Sequence, residues 1–398
     1  MKEYIIFYGN NYMHFYVARE GLCVRKMENG RFLNSNILLP DAKFDFSAVS
    51  LGGLIHIVCQ SNAGEILYIT YDGKVWEKAV LLKGKEKSAY TKHFSLVPIG
   101  NFINLFYTIN HENKTMLIHQ ILDGMHNTPE VIDYITPRGE YYFASPNITS
   151  DVTLCYQNAK GELGTKLYRW SQKSFMPFFA IEKEENIYSP FLKMTSDGFL
   201  MTAILKEKNG DSSILFYTKN EIGEIKKIKI SKECDKDSMP IIFINKERIY
   251  IEWFFRGLVY SVCSYDEGMS FSKPLSYVKK ESAENKLFLI DNSKEITYCY
   301  GARSKSEIVF YSSSNVLEEK KSEIGKKHKA KTSGEDAEEF AKRAGFVKSG
   351  GWEDDPYVTQ RELKTEIEKL KSAVDGYKKI IAELNRKIQE EESPEKHF

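Results

Sequence analysis

The sequence has no long apolar run, and this absence excludes one class of protein. None of its 398 residues belongs to a stretch of about 18 apolar residues, so no segment is predicted to span a membrane. The start, Met1 to Tyr16, lacks a charged region followed by an apolar core and a small-residue cleavage site. No signal peptide is therefore predicted, and we expect a soluble, cytoplasmic protein.

The sequence also lacks a strong charge of one sign. Its 56 basic and 55 acidic residues give a net charge of +1. This balance excludes a polybasic nucleic-acid binder as a description of the whole chain. Lysine outnumbers arginine by 45 to 11, a bias that is typical of AT-rich bacterial genomes.

Cysteines are few and none is close to another. No two of the six lie within three residues, so the pairs typical of zinc sites are missing. The chain has no H-E-x-x-H motif, no glycine-rich phosphate loop leading into a helix and no G-x-S-x-G motif. We therefore predict buried, reduced thiols, no metal site and no cofactor.

The charged residues divide the chain into two unlike parts. The last 81 residues contain 18 basic and 19 acidic residues but only six of the 52 aromatic ones. Residues 1–317 are thus predicted to contain a β-rich core, because tyrosine and phenylalanine favour strands.

Residues 1–317 repeat themselves. An apolar run, a tight turn and a second alternating run recur at intervals of 43 to 50 residues. The turns are Gly9-Asn10, Gly52-Gly53, Gly100-Asn101, Ser150-Asp151, Asp197-Gly198, Asn245-Lys246 and Asn292-Ser293. Each repeat has room for two more strands, as at 65–71 and 75–82. Seven repeats of four strands predict an all-β propeller with seven four-stranded blades, in which neighbouring blades bury each other's faces.

One turn carries a family motif. Ser264-Tyr-Asp266-Glu-Gly268-Met-Ser-Phe271 fits the pattern S-x-D-x-G-x-x-[FW], and Thr70 to Trp76 is a shortened version at the same place in its repeat. These segments resemble the Asp-box propellers, the sialidase-like superfamily. The resemblance implies that the aspartate and serine satisfy turn amides, that the glycine takes a positive φ, and that the aromatic residue packs between blades.

The same resemblance gives little support for catalysis. Sialidases of this superfamily bind a carboxylate with three arginines on inner strands, beside a Tyr–Glu nucleophile pair and an aspartate. No strand that we place first in a repeat carries an arginine. We expect a non-catalytic protein, and a sialidase-like carbohydrate-active enzyme or lectin is the alternative.

Propellers usually bind ligands on one face, over the central channel. That face is built from the loops leading into each first strand and the loops joining second to third strands, and tyrosine and arginine there are typical of interfaces. The predicted ligand-binding residues are Arg19, Tyr90, His93, Arg138, Tyr141, Tyr188, Arg256 and Arg303. Ordinary surface residues are the alternative reading. The expected partner is a protein, a peptide or a glycan.

The C-terminal part predicts self-association. Residues 318–358 read as a charged flexible linker with a possible short helix at 335–344, and 359–392 read as a parallel coiled coil. The apolar seam follows a heptad spacing through Leu363, Ile367, Leu370, Val374, Tyr377, Ile381, Leu384 and Ile388. β-Branched residues at a and mostly leucine at d favour a dimer, while Ile380 leaves a trimer or tetramer open. A helix packed back on the propeller is the alternative. Together these features predict a multivalent binding or scaffold protein.

Overall fold

A computed structural model describes most of residues 2–311. The described residues exclude 10, 29–30, 84–89, 113, 123–127, 137–141, 147–150, 184–185, 195–199, 209–210, 220–223, 237, 246–247, 278–282, 292–295 and 306. The chain divides into two units, Met1–Lys331 and Thr332–Phe398, and every described residue belongs to the first. The predicted linker, short helix and coiled coil, residues 318–392, lie outside the described residues.

The described part of the chain is almost entirely β-structure, in consecutive antiparallel sets of strands that we label A to G. Set A comprises β1 (Lys2–Tyr8), β2 (Asn11–Ala18), β3 (Gly21–Glu28) and β4 (Arg31–Leu39). Set B comprises β5 (Ala42–Leu51), β6 (Leu54–Ser61), β7 (Ile66–Tyr71) and β8 (Trp76–Leu82). Set C comprises β9 (Phe94–Ile99), β10 (Phe102–His111), β11 (Lys114–Leu122) and β12 (Glu130–Ile135).

The later sets follow the same plan with local departures. Set D comprises β13 (Tyr142–Pro146), β14 (Val152–Gln157), β15 (Glu162–Arg169), β16 (Ser174–Phe175) and β17 (Phe179–Lys183), with a 3-10 helix at Trp170–Gln172. Set E comprises β18 (Ile187–Met194), β19 (Leu200–Lys208), β20 (Asp211–Lys219) and β21 (Ile225–Ser231). Set F comprises β22 (Ile241–Asn245), β23 (Arg248–Phe255), β24 (Leu258–Ser264) and β25 (Leu275–Ser276). Set G comprises β26 (Glu284–Asp291), β27 (Ile296–Arg303) and β28 (Ile308–Phe310).

The first strands of sets A to F, with set G, form a closed ring. β1 contacts β5, and the contacts continue through β9, β13, β18 and β22 to β27 of set G. The ring closes where β1 pairs in parallel with β26, from Lys2 opposite Leu287 to Ile6 opposite Asp291. Sets A and G thereby merge into one seven-stranded sheet, and the described strands make six hydrogen-bonded sheets. A ring of sheets around a common axis is a β-propeller, as the repeat predicted.

The core lies between neighbouring sheets, because alternate residues of each strand face opposite sheets. Phe15 and Ile6 of set A pack with Phe46 and Ile57 of set B in one buried cluster. All six cysteines are free thiols, and five are buried as predicted, whereas Cys299 is partly exposed. Burial raises the pKa of Cys59 to about 12, so this thiol is unreactive at neutral pH. No described helix is long and apolar enough to cross a bilayer.

The motif turn has the hydrogen bonds that the pattern implies. Asp266 Oδ1 accepts from the backbone N–H of Ser270 at 2.8 Å, and Ser264 Oγ accepts from the N–H of Gly268 at 2.8 Å. Gly268 has a φ of +84°. The ring of Phe271 packs edge-on against Phe216 of set E, with centroids 5.2 Å apart. This turn therefore fastens set F to its neighbour.

Candidate functional site

A β-bulge in β5 turns one aromatic side chain out of the core. The register between β5 and β6 shifts between Ala42 and Phe46. Phe46 is 1% exposed, whereas Phe44 is 65% exposed. Bulges re-aim side chains in this way and are frequent next to binding sites. Phe44 thus presents its ring to solvent at the start of set B's first strand.

A second exposed ring belongs to the loop that leads into β9. Tyr90 is 62% exposed. Its backbone carbonyl accepts a hydrogen bond from Lys43 Nζ at 3.2 Å, so the residue next to Phe44 holds this loop. Lys92, two residues further on, donates its backbone N–H to Gln60 Oε1 at 3.0 Å. Burial, with Lys43 nearby, lowers the pKa of Lys92.

His93 joins this surface to the central channel. Its Nδ1 lies 2.9 Å from Asp45 Oδ2. Its backbone N–H donates to Thr108 Oγ1 at 3.1 Å, and its carbonyl accepts from the Tyr142 hydroxyl at 3.2 Å. The two hydrogen bonds fix the His93 backbone to sets C and D, and its ring approaches Asp45 of set B. We call Phe44, Asp45, Gln60, Tyr90 and His93 the channel mouth.

A cavity of about 550 Å³ extends from His93 along the first strands. This volume lies in the range of small-ligand sites. Its wall combines rings with hydroxyl and amino groups. Among the residues that line it are Tyr4, Ser95, Tyr142, Lys193, Asp291 and Tyr298.

The structure does not bring all the predicted binding residues together. Tyr90 and His93 share the channel mouth, but Arg19 and Arg256 are exposed on separate turns. Tyr188 donates its hydroxyl to Glu207 Oε2 at 3.1 Å in set E. Arg138 and Tyr141 lie outside the described residues.

Arg303, the remaining predicted residue, belongs to a cluster between sets A and G. Its Nη1 lies 2.7 Å from Glu3 Oε1. Glu3, which is 1% exposed, also accepts from His14 Nε2 at 2.8 Å. Arg25 Nε donates to His14 Nδ1 at 3.0 Å, so the imidazole is neutral and its proton is on Nε2. Burial is the main cause that lowers the pKa of His14. We call Glu3, His14, Arg25 and Arg303, with the rings of Tyr16 and Phe32, the arginine cluster.

Of the channel mouth and the arginine cluster, only Tyr90, His93 and Arg303 were predicted as site residues, and Arg25 and Phe44 show why others were missed. Arg25 is in the middle of β3, and Phe44 is inside β5, whereas the prediction considered loops. The described residues contain no group of three or more histidine, cysteine, aspartate or glutamate side chains suited to a metal ion.

Comparisons with known proteins found similarity at the level of the fold. No family model matches the sequence, and no curated protein matches it. A solved structure described as a new family of polysaccharide lyase, PL25 ulvan lyase, has a TM-score of 0.56 and 12% identity over 77% of this chain and 90% of that chain. The same lyase bound to -[GlcA(1-4)Rha3S]- has a TM-score of 0.55, also with 12% identity over 77% and 90%.

A fungal lectin from Aleuria aurantia, described as a six-bladed β-propeller, has a TM-score of 0.43 and 9% identity over 69% of this chain and 94% of that chain. At such identities a likeness concerns the fold alone. Membership of the Asp-box superfamily stays a prediction.

Proposed function

We propose that this protein is a glycan-binding β-propeller whose channel mouth contacts the sugar. The observation that carries the proposal is the exposure of two rings, Phe44 and Tyr90, on segments that also carry the polar side chains of Asp45 and His93. Lys43, the chain neighbour of Phe44, bonds the backbone carbonyl of Tyr90 and so ties the two segments together. Rings of this kind supply contact area at low entropic cost, and neighbouring polar groups orient hydroxyl-rich ligands. The fold similarity to a polysaccharide lyase supports a carbohydrate ligand over a protein or peptide.

An array of immobilised neutral and acidic glycans, probed with the full-length protein, tests this proposal. The double variant Phe44→Ala/Tyr90→Ala is expected to bind about tenfold or more weakly, because anchoring aromatic residues contribute about 1–3 kcal/mol each. Tyr134→Ala is the matched control, since Tyr134 is 44% exposed on the outermost strand β12. Binding by the double variant equal to that of the control would reject the channel mouth as the site.

The alternative function is a carbohydrate-active enzyme, and the similarity to the lyase favours lyase over sialidase chemistry. His93 and Tyr142 line the same cavity. However, the Tyr142 hydroxyl donates to the carbonyls of Phe106 and His93, at 2.7 and 3.2 Å, which suits a structural role. Incubation with ulvan distinguishes a lyase from a binding protein, because a lyase releases an unsaturated uronate whose ultraviolet absorbance can be followed. We expect no increase in absorbance.

We also propose seven blades, with sets A to G as one blade each, and a parallel coiled coil at 359–392 that makes the protein multivalent. Linking two or more weak sites raises avidity by about 10²–10⁴ without new contacts. A chain ending at Lys280 loses β26, the partner of β1, and is expected not to unfold cooperatively. The cytoplasmic location stays a prediction from the sequence.

A further inference from the structure

The arginine cluster contains one cation more than it has carboxylates. Arg303 Nη1 pairs with Glu3, and its Nη2 lies 3.2 Å from Glu284 Oε2. Lys286 Nζ also pairs with Glu284, at 3.1 Å. Among the residues that the structure describes, Arg25 hydrogen-bonds to the neutral ring of His14 alone. In the described part of the chain, no carboxylate lies within ion-pair distance of the Arg25 guanidinium.

This unpaired charge is half-buried. Burial is the first cause of the lowered pKa of Arg25, with Arg303 contributing in the same direction. A charge that is withdrawn from water without an ionic partner is costly, and an added anion relieves that cost. Arg25 keeps four N–H groups on its two terminal nitrogens, none of which bonds to a described residue. The side chain can therefore accept a partner without giving one up.

The guanidinium is also held in place. It stacks on the ring of Phe32 and lies 4.8 Å from the centre of the Tyr16 ring. Its Nε is fixed by His14, which in turn is fixed by the buried carboxylate of Glu3. A planar fork fixed in this way matches the two oxygens of a carboxylate or sulfate group.

Two neighbours of Arg25 carry hydroxyl groups: Tyr16, whose ring the guanidinium contacts, and Ser35, which pairs with Arg25 across β3 and β4. The Tyr16 hydroxyl and Ser35 Oγ are 3.0 Å apart in an exposed hydrogen bond. The guanidinium of Arg303 lies 5.4 Å from the centre of the same Tyr16 ring. A cation beside hydroxyl groups and an aromatic ring offers contacts both to an anionic group and to the sugar that carries it. These contacts suit an acidic sugar better than a bare inorganic anion.

We infer that the arginine cluster is a second binding site, which takes the carboxylate or sulfate group of an acidic sugar through Arg25. The inference rests on the proposed glycan-binding function for the polymer that carries this sugar. The Nη1 and Nη2 groups of Arg25 donate to the anion, and Arg303 adds positive potential. Glu3 and His14 act as positioning residues.

Three polymers serve as probes. Dextran is neutral, dextran sulfate carries only sulfate as its acidic group, and hyaluronan oligosaccharides carry only carboxylate. At about 0.15 M salt, the full-length protein is expected to bind at least one acidic polymer ten times more tightly than dextran. Arg25→Gln is expected to remove at least a tenfold preference, about 1.4 kcal/mol. Arg25→Lys keeps the charge but loses the planar pair of N–H donors, and it is expected to lose about half of this free-energy preference for the acidic polymer.

Arg248→Gln is the matched control, because Arg248 stacks on Tyr265 with its guanidinium 4.8 Å from the ring centre and belongs to set F. An equal loss in Arg25→Gln and Arg248→Gln would reduce the effect to general charge attraction and overturn the inference. Thermal unfolding of each variant checks that it is folded.

If Arg25→Gln does not fold, the wild-type protein provides a direct readout. The Arg25 Nε–H is hydrogen-bonded to His14 and should give a slowly exchanging NMR signal. Titration with sodium glucuronate is expected to shift this signal, whereas methyl glucoside is not, and no shift with glucuronate or sulfate overturns the inference. A shift without binding of any polymer keeps the site and rejects the proposed function. Equal binding of dextran and both acidic polymers would keep the proposed glycan-binding function and reject the arginine cluster as a site for acidic sugars.

Discussion

The carboxylate of Asp291 in β26 accepts two hydrogen bonds from Ser50 in β5, from its backbone N–H at 2.6 Å and from its hydroxyl at 2.9 Å. The two residues are 241 positions apart in the chain. They belong to sets G and B, which flank set A in the ring. The contact therefore fastens the last set to the second one, at the wall of the central cavity.

Asp291→Ala is expected to lower the free energy of unfolding by about 1–3 kcal/mol, because it leaves a half-buried N–H and hydroxyl without this charged acceptor. Asp291→Asn keeps one acceptor oxygen and should lose less. The control is Asp211→Asn, at an exposed position, with a change within about 0.5 kcal/mol. Urea unfolding followed by tryptophan fluorescence measures all three. An unchanged midpoint for Asp291→Ala would show that this contact is not part of the closure.

His119 gives the propeller a defined acid sensitivity. Burial lowers the pKa of His119 to about 4, and its Nε2 donates to Asn104 Oδ1 at 2.9 Å. In the unfolded chain the pKa is about 6.5. Between these values the unfolded chain binds a proton that the folded chain does not, so stability falls as the pH is lowered from 6.5 to 4, by up to about 1.4 kcal/mol per unit.

His119→Gln keeps a donor but does not titrate, and its stability is expected to fall less steeply over this pH range. The control is His111→Gln, since the His111 side chain is 68% exposed. Unfolding measured at several pH values gives the slopes. Parallel curves for wild type and His119→Gln would contradict the assignment.

Two glycines with similar backbone angles are expected to respond differently to alanine. Gly268 in the motif turn has φ +84°, and Gly257 has φ +76°. A Cβ at Gly268 would lie 2.8 Å from the Phe216 ring, whereas at Gly257 nothing lies within 4 Å. Gly268→Ala should therefore destabilise the protein by about 1–3 kcal/mol more than Gly257→Ala. Equal melting temperatures would mean that Phe216 moves aside freely.

The predicted coiled coil has a direct test in solution mass. Each chain carries a stripe of eight apolar residues, and burying one leucine or isoleucine contributes about 1.5–3 kcal/mol. The full-length protein is expected to be a dimer. The double variant Leu370→Asp/Ile381→Asp places charges in the seam, and it is expected to be a monomer with an unchanged melting temperature. Light scattering after size exclusion measures the masses. A monomeric wild type at micromolar concentration would reject the coil as the means of association.

Repeat spacing predicted the propeller because turn glycines and alternating apolar runs are local signals. The structure confirms the glycine turns at Gly9, Gly52 and Gly100, each with positive φ. The pairing of β1 with β26 was not predicted, because no local pattern tells which strands from the two ends of a ring meet. The repeat also predicted four strands in every set, whereas set G has three in the described residues.

The binding surfaces were only partly predictable. Phe44 and Phe46 share one phase of an alternating run, so the pattern places both in the core, and only the bulge in β5 separates them. Arg25 stands in a strand, and it has no carboxylate partner among the described residues because Glu3 is occupied by His14 and Arg303 from other strands. Such partnerships arise from tertiary packing and leave no trace in residue spacing.

Hydrogen–deuterium exchange of the full-length protein, with and without the glycan that binds most tightly, tests most directly whether the channel mouth contacts the sugar. Peptides that cover 42–48 and 90–96 are expected to exchange more slowly in the complex, while peptides from the outermost strands β8 and β12 are unchanged. Slower exchange confined to other parts of the chain, with 42–48 and 90–96 unaffected, would contradict the account.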